Sequence, residues 1–192
     1  LHYARLQQGK WKDANTWLRR QYVILPADAP EGRRQGLAQR ALEWQFNVGL
    51  FDQVPYSERT AEMMAEPSRL LAWSVDAWRL RMTTEVATLA DALTALRRKT
   101  PDDVTLRLIE PQARAMALHL SSLPDSAVAT SLEAVRLEAS LPMDFGPPAI
   151  LRPAHEAHAE LLLALGRHTD AQVAFNAALA RTPGRSRTLA GL

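Results

Sequence analysis

The sequence predicts an all-α fold built as a stack of antiparallel helix hairpins, and three observations carry that prediction. The stretch 153–183, PAHEAHAELLLALGRHTDAQVAFNAALARTP, is an apolar-periodic run, a glycine break, a second run rich in small residues, and a closing proline. The same spacing recurs elsewhere. Leu123-Pro124-Asp125-Ser126 is followed by Ala127 and Ala134 at the separation of Ala171 and Ala178, and Leu6, Gly9, Trp11, Ala14 and Leu18 again read as a helix end, a glycine turn and an alanine-bearing helix. Finally, prolines and capping residues punctuate the chain at helical lengths, and no strand is expected.

The segment 153–183 shows the physics most plainly. Leu161, Leu162 and Leu165 form one apolar stripe on a helix that opens at Pro153, and Gly166 supplies the backbone freedom that ends it. On the next helix Ala171, Ala174, Phe175, Ala178 and Leu179 share a face, small residues admitting the partner helix while Phe175 fills the space beside them. Thr182-Pro183 closes the unit, because the residue before proline is pushed out of helical geometry. A single hairpin cannot bury its own apolar face, so neighbours of the same kind are required.

Helices are expected at about 1–8, 11–25, 33–50, 56–66, 68–82, 85–99, 103–121, 125–140, 153–165 and 168–181. Pro26 and Pro30 bracket a linker, Pro55 follows the third helix, Pro67-Ser68 opens the fifth, and Thr100-Pro101-Asp102-Asp103 caps the seventh. The hairpins so formed are about 1–25, 33–66, 68–99, 103–140 and 153–181, in one domain spanning 1–192. A proline- and glycine-rich spacer occupies 141–152. In the middle hairpins Leu89, Leu93 and Leu96 stand roughly where the small and aromatic residues belong, so those units are inferred from helix pairing more than from motif.

The 192 residues are 47% apolar, ample for a core, and contain no cysteine, which excludes disulfides and thiol chemistry. Net charge is +2, and the arginines occur in scattered pairs (Arg19-Arg20, Arg33-Arg34, Arg97-Arg98) among acids rather than as a stripe, so solvated helix faces are preferred to a phosphate track. A cytoplasmic location is favoured, and these residues hold no signal peptide or spanning segment, an absence that says little about export where the native start is missing. The chain begins at Leu1 in mid-repeat, and 185–192 starts another first helix, so a fragment of a longer array is expected and export stays open. Solenoid ends without polar caps can stack on another copy, giving a homodimer.

Catalytic and metal constellations are weak. His155 and His158 lie three apart beside Glu156 and Glu160, but further ligands would have to come from His119 or Asp144, and nothing in the sequence places them. There is neither a nucleophile elbow nor a glycine-rich phosphate loop, so no enzyme activity, metal or cofactor is expected. Core packing accounts for Trp11, Trp17, Trp44 and Trp73, with Trp78 the exception to watch.

The residues Gly166, Ala171, Phe175, Ala178 and Pro183 resemble the tetratricopeptide repeat, whose period is about 34 residues; His155, His158 and Ala159 depart from its pattern. The chain as a whole resembles the C-terminal half of a group of bacterial tetratricopeptide proteins. The resemblance implies a right-handed α-α superhelix whose first helices line a concave face. It places there Ser74, Trp78 and Arg81, then Gln112, Met116 and His119, then Glu156 and Glu160, a wall able to hold a peptide. The implied role is a non-catalytic scaffold for a protein or peptide partner. An RNA-binding helical repeat is the alternative, though no nucleic acid is expected, and a metal-dependent hydrolase is a weaker one.

Overall fold

The computed structural model of the chain describes residues 5–6, 8–48, 66–142, 151–183 and 185–192. Among them the chain forms helices α1 (Trp11–Val23), α2 (Glu31–Val48), α3 (Pro67–Arg79), α4 (Thr83–Lys99), α5 (Val104–Leu120), α6 (Pro124–Ser140), α7 (Ala154–Ala164), α8 (His168–Arg181) and α9 (Ser186–Ala190), and no strand. The expected helices at 1–8 and 56–66 lie outside the described residues apart from positions 5, 6, 8 and 66; so does the spacer apart from positions 141, 142, 151 and 152. No helix among the described residues is long and apolar enough to cross a membrane.

One turn recurs through the chain. Gly9, Arg81, Ser122 and Gly166 all have positive φ, at 69°, 59°, 59° and 73°. The N–H of each donates to the carbonyl three residues back, on Leu6, Trp78, His119 and Leu163, and the following N–H donates to the carbonyl five back, on Arg5, Ala77, Leu118 and Leu162. This paired bonding around a left-handed residue is the Schellman motif, which satisfies the orphan carbonyls of one helix as the next begins.

Because the turn is the same, it sets the register of the helix after it. Five residues past each left-handed residue stand Ala14, Val86, Ala127 and Ala171, none more than 1% exposed. Nine past it stand Leu18, Ala90, Ser131 and Phe175, all buried. The hairpin α3–α4 therefore packs through Val86, Ala90 and Leu93. That corrects the expected set Leu89, Leu93 and Leu96: Leu89 is buried on a neighbouring position, and Leu96 lies at the edge of the core. The register was hidden because the turn residue is Arg81, where two of its sister turns carry glycine.

A side chain in the left-handed region costs roughly 1 kcal/mol that glycine avoids. No atom lies within 4 Å of a Cβ built at Gly166, so Gly166→Ala tests backbone strain without a clash. We expect it to lower the melting temperature by roughly 2–4 °C, with Arg81→Gly and Ser122→Gly each raising it by up to about that amount. Scanning calorimetry reads the sign directly; a lower value for Arg81→Gly would contradict the strain.

The hairpins α3–α4, α5–α6 and α7–α8 stack in chain order, each second helix lying against the next first helix. Two of the links share one device. Thr100 and Thr182 hold nearly the same backbone angles (φ −133°, ψ 71° and φ −130°, ψ 73°), each donates its N–H to the last turn, to Leu96 and Ala178, and each is followed by proline. Helix α9 thus starts as α5 does, in the place of a further hairpin's first helix.

The first helices close on one another. Helix α2 packs on α3, α3 on α5, α5 on α7, side-chain bonds join α7 to α9, and α9 returns to α2. Leu42 and Phe46 of α2 enter the main core with Leu70, Leu71, Val75, Leu89, Leu93, Leu106 and Ile109, while Leu37, Ala41 and Trp44 of the same helix pack with Leu6, Ala14 and Leu18. The inner face of the stack is consequently filled by the chain itself.

Candidate functional site

Five of the eight residues expected on the concave wall lie in this filled interior. Ser74 is fully buried and its hydroxyl donates to the Leu70 carbonyl at 2.8 Å. Gln112 donates through Nε2 to the carbonyls of Leu108 and Arg152, at 3.1 and 3.3 Å, and Met116 is buried with its Sδ 3.9 Å from Arg152 Nη1. Glu156 is 0% exposed. Arg185 grips it with Nε at 2.7 Å and Nη2 at 3.2 Å, and the Thr188 hydroxyl donates to it at 2.5 Å. Glu160 accepts from Arg152 and Arg187, each at 2.6 Å. The two carboxylates therefore bind α9 and the end of the spacer.

Burial works against the charge of Glu160, but the facing Arg152 and Arg187 outweigh it and hold the carboxyl at about 2, against its usual 4.5. A carboxyl depressed on folding contributes stability that is present in full above the unfolded value and is lost as pH falls through the folded one. Urea midpoints are expected to hold level above about pH 4.5 and to fall between there and about pH 2, with Glu160→Gln flattening that fall. A wild-type midpoint that stays level down to pH 2 would contradict the pairing.

The histidine pair has separate structural partners. Glu138 of α6 accepts from the N–H groups of Ala154 and His155, both at 3.1 Å, and lies 2.6 Å from His155 Nδ1, so it caps the start of α7 from the neighbouring helix. His158 Nδ1 meets Ser131 Oγ at 2.6 Å. Asp144 lies outside the described residues, and among these no group of three or more His, Asp or Glu gathers around a common point.

The remaining expected residues, Trp78, Arg81 and His119, meet at the edge of the stack. Trp78 ends the first helix of one hairpin and His119 that of the next, 41 residues apart, each three residues ahead of its left-handed turn. The indole Nε1–H donates to His119 Nδ1 at 2.8 Å, with the rings edge to face at 5.7 Å. Accepting at Nδ1 leaves the neutral ring its proton on Nε2. Partial burial, and then the charge of Arg81, lower the His119 pKa, so the neutral form prevails at pH 7.

Beside this pair opens a cleft of about 510 Å³ lined by Arg81, Thr83, His119, Leu120, Ser122, Pro124 and Leu165. A smaller recess of about 270 Å³ adjoins it between Trp78, Arg79, Arg81, His119 and Ala164. Among the described residues the two left-handed ones that are not glycine, Arg81 and Ser122, face the larger cleft. Thr83, Ser122 and Leu165 were missed from the sequence. The signal that finds them is the turn register, which puts the ends of three successive hairpins on one edge.

Trp17, Trp44 and Trp73 pack in or against the core as expected, whereas Trp11, the first residue of α1, does not and stands 38% exposed. Trp44 is fully buried and donates to the Trp11 carbonyl at 2.9 Å; Trp73 is buried in the main core; Trp17 lies under the Arg40 guanidinium at 5.7 Å; and Trp11 is partly exposed beside Lys12. Comparison with protein-family models, with curated proteins and with solved structures finds no match for the chain.

Proposed function

We propose that the chain is a non-catalytic helical-repeat scaffold of tetratricopeptide type, a right-handed superhelix of hairpins, that binds a protein or peptide segment. The contact surface is the turn edge around Trp78, Arg81 and His119, while Ser74, Gln112, Met116, Glu156 and Glu160 hold the first helices together behind it. The observation that carries this reading is the open cleft, which combines an exposed arginine, a hydrogen-bonded Trp–His pair and apolar side chains, with Arg81 and Ser122 held in backbone geometry that favours glycine.

The absence of native cysteine makes the test simple. Peptides are selected from a random display library on the intact chain, and their affinities are then measured on a Thr83→Cys variant before and after labelling with a bulky maleimide. Thr83 is exposed and lines the cleft, so labelling should abolish binding. Peptides that bind the labelled protein as well as the unlabelled one would place the contact surface elsewhere.

A further inference from the structure

We infer that the cleft receives an acidic side chain next to an aliphatic one in an extended peptide; this rests on the peptide-binding reading above. At three other places among the described residues the fold meets arginine charge with a buried or half-buried carboxylate. Arg97 and Arg114 share Glu110, Arg152 and Arg187 share Glu160, and Arg185 holds Glu156. The cleft differs: none of its lining residues is an acid, and the Arg81 guanidinium has no hydrogen bond or ion pair with any described residue.

The donors there are set for an anion. Trp78 occupies Nδ1 of His119, which directs the remaining N–H, on Nε2, away from the indole, and the hydroxyls of Thr83 and Ser122 lie on the same wall. Arg81 and a neutral imidazole N–H together suit a carboxylate, since the arginine fork bonds it in two places and the ring N–H adds a third donor. Leu120, Pro124 and Leu165 form the apolar side of the same space, which fits an aliphatic neighbour on the peptide. A phosphate chain fits less well: arginines across the chain are scattered among acids, net charge is only +2, and the cleft is a single local concavity, not a basic track.

The experiment is a random dodecapeptide display on the intact chain, with the Arg81→Gly protein as counter-selection. That variant suits the φ of 59° and should stay folded, as a thermal melt will verify. Peptides preferring the wild type should carry Asp or Glu beside Leu, Ile, Val or Met. Exchanging that acid for its amide should weaken binding to the wild type about tenfold, as expected for a lost charge-assisted bond, and leave binding to Arg81→Gly unchanged. The Trp78 indole N–H resonance should shift on binding the acidic peptide and not its amide. Enrichment of peptides without an acid, or an equal loss on both proteins, would overturn the carboxylate assignment while leaving peptide binding intact. No enrichment above bare matrix would overturn both, and preferential capture of a random RNA pool, falling steeply with salt, would replace them.

Discussion

Replacing Glu156 by alanine is expected to destabilise the chain by about 3–5 kcal/mol, the range for stranding a buried charge. Arg185 is 1% exposed and the Glu156 side chain 0%, so the guanidinium would keep only the Leu151 carbonyl as acceptor, at 3.1 Å. Most of that cost is the penalty of the orphaned cation, not the net worth of the pair. The double change Glu156→Leu with Arg185→Met should therefore recover the greater part of the loss. Urea unfolding of the four proteins in the cycle measures it. A Glu156→Ala loss below about 1 kcal/mol, the range of an exposed pair, would mean that α9 does not cover α7 in solution.

Trp44→Ala is expected to cost about 3–5 kcal/mol as well, through a different term. The ring is 0% exposed among Leu6, Ala14, Leu18, Leu37 and Ala41, and its Nε1–H donates to the Trp11 carbonyl. Removing it leaves a cavity and takes the indole donor from the Trp11 carbonyl. The N-terminal cluster is separate from the main one, joined to it by α2, and stacked hairpins are stabilised mainly by their neighbours. The loss should thus appear as an early transition in which α1 loosens before α5–α8, seen as faster amide exchange in 11–23 than in 104–140. Uniform loosening along the whole chain would contradict that division.

Local order was readable where the chemistry of the motif is explicit. Gly166, with Ala171, Phe175 and Ala178 after it, declares turn and packing register together, and the same holds for Gly9, Ala14 and Leu18. At Arg81 and Ser122 the turn geometry persists without the glycine that would announce it, and the α3–α4 register lies three positions from the expected one for that reason. The closure of the first helices was not readable. Glu156 and Glu160 stand on the inward face of a first helix, where an open groove would make them a binding wall. Their partners Arg185, Arg187 and Thr188 follow about one hairpin later, in and just before a five-residue helix with no apolar periodicity of its own. Only long-range packing brings them together. Trp78 and His119 were recognised as candidates, yet their contact depends on the shared turn geometry of two hairpins, which spacing shows only once both turns are aligned.

The most direct test of a peptide scaffold with a filled interior and an active edge is amide exchange on the intact chain, with and without a peptide selected on it. Slower exchange is predicted in 79–83 and 119–124, the two turns that flank Trp78 and His119, with α7 and α9 unchanged. Protection centred on 154–164 and 186–190, or faster exchange in α9 on binding, would contradict the filled interior: the peptide would then enter between the first helices and displace the chain's own arginines.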